Sequence, residues 1–227
     1  MTSISVMMPV LIEHEWQIPM TRCAIDTLRA TTEYPFELVV VETGRQAFNN
    51  SALVNRYVHK PERTKPTLDC NAGLEAATGD LVVYTGNDIF TRPGWLEALL
   101  SCFARADCGI ATLASADLKA TNAGVYFGQD IITEGLYGPF CMFPRTWRYD
   151  AENFPCQFAD SDLIMRIYEA GGRMLRNNKV IIEHLNRQTL SGADNDADFQ
   201  AAKQRFIELH QQSGLLVFRA LAEGWIV

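Results

Sequence analysis

Residues 77–99, ATGDLVVYTGNDIFTRPGWLEAL, decide the fold because they read as turn, strand, acidic turn and helix in direct succession. Thr78, Gly79 and Asp80 supply turn chemistry, and Leu81-Val82-Val83-Tyr84 is a short apolar run of the kind that forms a buried central strand. Gly86-Asn87-Asp88 ends that strand. Pro93-Gly94 breaks the chain again before Trp95, Leu96, Leu99 and Leu100, whose spacing suits one face of a helix. In open α/β sheets ligands bind beyond the carboxyl ends of the strands. Asn87 and Asp88 therefore stand where a site is expected, with the Asp88 carboxylate placed to hold a hard cation.

Toward the N-terminus, Thr67–Thr78 reads as a helix that runs up to Gly79. Ser3–Val10 reads as a first strand, ended by Pro9 and the polar run Glu13-His14-Glu15. Met20–Thr31, with Ala24, Ile25 and Leu28 on one side, reads as a helix, and Phe36–Val41, FELVVV, as a second strand. This β-α-β order implies a parallel pair with a right-handed crossover. Gln46–Tyr57 is compatible with a further helix. The stretch KPERTKP, Lys60–Pro66, is expected to be a loop whose basic residues face either a pyrophosphate or solvent.

Toward the C-terminus, Trp95–Ala106 is expected to be helical, and Gly109–Ala114 and Phe140–Phe143 extended. The Gly-rich, aromatic stretch within Ala116–Leu136 has no clean period. Phe158–Gly172, FADSDLIMRIYEAGG, contains a helix with Leu163, Ile164, Ile167 and Tyr168 as its apolar stripe, Asp160 or Ser161 as a cap, and Gly171-Gly172 as its stop. Capping accounts for one carboxylate, yet Asp160 and Asp162 both stand at this terminus. Val180–His184 reads as a strand ending in histidine, and Phe199, Ala202, Phe206 and Leu209 recur at helical spacing beyond Asp198.

A chain of 227 residues with 48% hydrophobic residues can bury a sizeable core and is expected to form one domain. The formal net charge of −7 disfavours a broad phosphate-backbone footprint, so nucleic acid is an unexpected partner. Cys23, Cys70, Cys102, Cys108, Cys141 and Cys156 are scattered without a C-x-x-C pair, which fits reduced thiols in a cytoplasmic protein. No basic leader precedes MTSISVMMPVLI, and no apolar run approaches the roughly 20 residues of a membrane span.

Several of these stretches resemble, together and in their order along the chain, the family-two glycosyltransferases of the GT-A fold. Residues 86–95 resemble the family's strand-end Asp-x-Asp cluster and Pro-Gly-Trp-like helix start, although Gly86-Asn87-Asp88 retains only the last carboxylate. Pro9-Val10 and VVVETG, Val39–Gly44, are similar to the family's first strand end and its VVVDDGS. Asn71, Gly73, Ala77, Gly79 and Asp80 follow its Arg-Asn-x-Gly and Ala-x-Gly-Asp pattern, with Cys70 where arginine is usual. FADSDLIMRIYEAGG is similar to FEDxDLxxRLxxAG, with Ala159 in place of glutamate, and Leu11-Ile12 replace the polar residue common after the first strand.

The resemblance implies a mixed, mostly parallel α/β sheet of GT-A type with helices on both faces. It divides residues 1–227 into a nucleotide-binding part near 1–100, an acceptor-side part near 101–195 and a C-terminal helical extension near 196–227. It assigns a nucleoside-diphosphate sugar, UDP-linked, to Pro9, Val10, Glu42, Asn71, Asn87, Asp88, Arg145 and Asp162, with Glu42 accepting from ribose or base. It gives a divalent metal, Mn2+ or Mg2+, to Asp88 and His184, with imidazole favouring the transition ion. Asp160 takes the place of the catalytic base in inverting transfer to a saccharide or other hydroxyl acceptor. A nucleotidyltransferase and a catalytically inactive sugar-nucleotide-binding module are the alternatives; the first would carry a Gly-rich, basic phosphate loop where Leu11–Glu15 stands.

Overall fold

The computed structural model describes residues 2–116, 132–134, 139–185 and 196–211. Most of the Gly-rich acceptor-side stretch, the polar loop at Asn186–Ser191 and the chain from residue 212 onward lie outside the described residues. The first half runs β1 (Ile4–Ile12), α1 (Gln17–Ala30), β2 (Glu37–Gly44), β3 (Arg56–Lys60), α2 (Pro66–Ala76), β4 (Leu81–Thr85), β5 (Ile89–Phe90) and α3 (Trp95–Phe103). The second half runs β6 (Cys108–Ser115), β7 (Ile132–Glu134), β8 (Phe140–Pro144), α4 (Ala159–Glu169), β9 (Arg173–His184) and α5 (Asp196–His210).

Strand period two builds a two-sided core. Ile4, Val6, Met8 and Val10 of β1, Leu38 and Val40 of β2, and Leu81 and Val83 of β4 enter one cluster with α1 and α3. Met7, Val39 and Val82, one position out of phase, enter a second cluster with α2, α4 and α5. Alternate side chains on a strand point to opposite faces, so strands apolar at every position require helices on both.

In space the strands run β3-β2-β1-β4-β8-β6-β9-β5, with β7 also on β9. β1 is parallel to β2 and β4, and β2 to β3. β8 runs against both β4 and β6, while β6 and β9 are parallel. Strand order reverses at β1 and β4, opening a crevice beyond their carboxyl ends. Gly94 starts α3 in a left-handed conformation, φ 82°, which suits glycine.

Four local expectations change. Residues 46–55 form turns, and Arg56–Lys60 is β3 where a helix over Gln46–Tyr57 was compatible with the sequence. The Glu42 carboxylate accepts from the amides of Ala47 and Phe48, and the Arg29 guanidinium donates to the Leu53 carbonyl and Asn55. Side chains thereby capture backbone groups that a helix would have paired. β1 continues through Pro9 to Ile12; β4 pairs only as far as Met7, so the prolyl nitrogen interrupts no ladder with that neighbour. β9 starts at Arg173 and carries β5 and β7 as antiparallel neighbours. The first turn of α4 has no side-chain cap: Phe158 holds the cap position at φ 61°, and Asp160 is the second helical residue.

Candidate active site

β4 delivers Gly86-Asn87-Asp88 to the crevice, and each side chain there is tied to a different element. The Asn87 amide donates to the Thr21 hydroxyl of α1 at 2.8 Å, deep in the protein. Asp88 is 4% exposed, and its Oδ2 lies 3.4 Å from Nε2 of His184. Register makes this pair: Ile89 is opposite His184 in the β5–β9 ladder, and the Leu185 amide donates to the Asp88 carbonyl at 3.1 Å. A Cβ on Gly86 would stand 2.7 Å from Asp88 Oδ1, so the absence of a side chain there lets the carboxylate fold back. One oxygen donor and one imidazole nitrogen suit a transition ion such as Mn2+. Among the described residues no third His, Cys, Asp or Glu joins them in a metal cluster.

Asp160 stands in the first turn of α4. The residue is half-buried, and its carboxylate accepts from the Ser161 amide at 2.8 Å. Burial pushes its pKa above the ordinary aspartate value, with backbone hydrogen bonds opposing. Burial holds the phenol of Tyr84, near the end of β4, well above its usual range, and the neighbouring Asp160 and Asp88 carboxylates push it the same way.

The sequence profile described as glycosyl transferase family 2 matches residues 5–167. The chain belongs to glycosyl transferase family 2. No curated protein matches the chain in sequence. Its fold is similar to that of a mannosyltransferase of Pyrobaculum calidifontis in complex with GDP-Man and Mn2+: TM-score 0.64, 16% identity, 98% of this chain and 79% of that one. It is also similar to residues 1–349 of TarS of S. aureus in complex with UDP-GlcNAc: TM-score 0.67, 13% identity, 98% of this chain and 70% of that one. Glucosyl-3-phosphoglycerate synthase from Mycobacterium tuberculosis, in complex with Mn2+, UDP and phosphoglyceric acid, matches with TM-score 0.63 and 16% identity over 94% of this chain and 79% of that one. The sheet of this family-2 glycosyltransferase is thus of the GT-A kind, and no described helix is long and apolar enough to cross a membrane.

Within this glycosyltransferase the remaining residues expected at the site separate into those that reach the crevice and those that do not. Pro9 is partly exposed on the face of α2 and α4, whereas Val10 points into the opposite core. Glu42 has the parity of Leu38 and Val40 and is fully buried on that opposite face. Its two oxygens accept from the amides of Ala47 at 2.9 Å and Phe48 at 3.1 Å and from the Tyr57 hydroxyl at 2.7 Å. In this structure the Glu42 carboxylate, expected to accept from ribose or base, is engaged with the loop after β2 and with Tyr57 of β3.

Asp162 is likewise spent inside the protein. Its Oδ2 takes the Arg166 guanidinium at 2.7 Å and its Oδ1 lies 3.2 Å from His210 Nε2, so both oxygens are engaged within the protein. The Asn71 amide both donates to the Tyr149 carbonyl and accepts from the Tyr149 N–H, pinning α2 to the segment after β8. Arg145 lies at the far end of the sheet, because β8 runs against β4; its Nε donates to the Gly79 carbonyl at 2.9 Å. Two basic residues of Lys60–Pro66 are already paired, Lys60 at the end of β3 with Asp69 and Arg63 with Glu13.

Two residues at the crevice escaped the sequence reading. Tyr84 carries a signal that could have found it, as the one polar tip in the run LVVY of a buried strand. Trp16, 47% exposed and stacked on His14 at 6.3 Å, lies just beyond the end of β1. Its neighbour Glu15 pairs with Arg45 just past β2.

Proposed function

We propose that this glycosyltransferase moves a sugar from a UDP-linked donor to an acceptor hydroxyl with inversion, using a divalent ion at Asp88 and His184 and Asp160 as general base. The observation that carries the reading is the 3.4 Å approach of Asp88 to His184 beyond the end of β4, and Asp160 in the first turn of α4 supplies the second carboxylate. In the reaction the acceptor oxygen attacks the anomeric carbon, the bond from that carbon to the diphosphate oxygen breaks, and Asp160 takes the acceptor proton. A divalent cation bound by Asp88 and His184 supplies neutralisation of the charge that develops on the leaving diphosphate.

Pro9 and Tyr84 line the floor beneath the donor in this reading, and the exposed Trp16 indole offers the nucleobase a stacking face. The solved relatives bound to UDP-GlcNAc and to GDP-Man with Mn2+ supply the precedent for both ligand types on this fold. The test is a thermal-shift series of UDP-, GDP- and dTDP-sugars with and without Mn2+, followed by anomeric analysis of the product. Stabilisation by a UDP-sugar that depends on Mn2+, together with an inverted product, supports the reading. Nucleotide binding without any transfer favours an inactive module, and a product that keeps the donor's configuration removes Asp160 as the base.

A further inference from the structure

Among the described residues Phe158 is the one residue other than glycine with positive φ, 61°, and it directly precedes α4, two positions before Asp160. A bulky residue in the left-handed region is strained and persists only where its surroundings over-determine it. Those surroundings come from α5. The rings of Phe199 and Phe206 lie 5.2 and 5.4 Å from that of Phe158, and the fully buried Phe206 also meets Phe154 at 6.5 Å.

The same helix grips α4 beyond Asp160. His210 places Nε2 3.2 Å from Asp162 Oδ1 and Nδ1 3.0 Å from Glu169 Oε1, and the other Asp162 oxygen is held by Arg166. Asp160 depends on such a frame, since its carboxylate accepts from the backbone amide of Ser161 at 2.8 Å. Where the backbone of residues 158–162 runs thus sets where the carboxylate points. The family match ends at residue 167, so the whole of α5 lies beyond it.

We propose that α5 is a positioning element for the catalytic base: Phe206 and His210, acting through Phe158 and Asp162, hold Asp160 at the acceptor hydroxyl without touching substrate. The inference rests on the reading of Asp160 as general base. A displacement of about 1 Å at such a group costs on the order of a hundredfold in rate, so a modest loosening of α5 is enough to be measured.

The experiment compares kcat and donor KM for release of nucleoside diphosphate in Mn2+, using whichever of UDP-glucose, UDP-GlcNAc or GDP-mannose turns over fastest. Phe158→Gly tolerates φ 61° without strain but removes the ring that α5 holds, whereas Phe158→Tyr keeps it. In Phe158→Gly kcat falls by about tenfold or more with donor KM within about twofold, the split expected when reaction geometry is lost and donor binding is kept. Phe158→Tyr restores kcat, and Phe206→Leu and His210→Gln shift it in the same direction as glycine. Thermal melts establish that each variant is folded at the assay temperature; if Phe158→Gly is not, Phe206→Leu decides on the same readouts. Unchanged kcat in the folded glycine or leucine variant, or a kcat loss matched by an equal rise in KM, overturns the proposal. Near-normal turnover in Asp160→Asn overturns the base assignment itself, a result the α5 variants cannot mimic.

Discussion

The carboxylate of Asp88 and the imidazole of His184, from opposite halves of the chain, lie 3.4 Å apart because β5 and β9 pair with Ile89 opposite His184. Sheet register, which is specified wherever a face is buried, therefore assembles the proposed metal pair. Asn87, between the strand and Asp88, is occupied in holding the turn to Thr21.

Asp88→Ala is expected to abolish the Mn2+-dependent part of thermal stabilisation by UDP, and His184→Ala to weaken it strongly. Asn87→Ala removes one buried hydrogen bond, worth about 1 kcal/mol, and should lower the melting temperature of the free protein while only weakening the metal-dependent shift. Equal and small effects of Asp88→Ala and Asn87→Ala would sink the metal assignment.

Asp160→Asn keeps an acceptor for the Ser161 amide, so melting temperature and donor affinity should change little. An amide cannot take the acceptor proton, and transfer should fall about a hundredfold or more. Asp162→Asn is expected to act differently. It leaves Arg166 and His210 imperfectly paired in a buried place, so stability falls first and activity follows it. Denaturant melts beside initial rates separate the two patterns.

The pH dependence of transfer follows from the raised pKa of Asp160. The base works only when deprotonated, and burial favours its neutral form. Acidification should therefore abolish activity at a higher pH than the value near 3.9 of an unperturbed aspartate. Initial rates under saturating donor across the acid range test this; a limb at or below the ordinary aspartate value contradicts the placement.

Glu42→Gln is expected to destabilise the fold by about 1–3 kcal/mol, because the amide group turns a donor toward N–H and O–H groups that need an acceptor. Tyr57→Phe removes one of the three donors and should cost less. Urea melts give both values. A Glu42→Gln protein of unaltered stability with a selective loss of nucleotide affinity would return Glu42 to the ligand.

Much of this architecture was legible because its causes are local. LVVY before Gly86-Asn87-Asp88, FELVVV before Glu42 and the stripe after Asp160 each carry their own period and their own stop, and the helices and strands formed near them. The helix compatible with Gln46–Tyr57 failed where distant groups intervened, since Glu42 and Arg29 take the backbone partners a helix needs. β5 and β7 are too short to carry a period and exist through pairing with β9.

The sequence by itself determined the alternation that puts helices on both faces and the carboxylates that follow the strands and open α4. Tertiary structure decided which of those carboxylates stays available. Glu42 stands one residue out of phase with the face of Pro9 and Tyr84, and there the amides of Ala47 and Phe48 and the Tyr57 hydroxyl consume it. Asp160 and Asp162 are the same residue type two positions apart, yet two positions are about 200° around a helix, which turns Asp162 to His210 of α5 and Asp160 away from it. A carboxylate's chemistry depends on the donors that surround it, and those donors come from segments that only folding brings near.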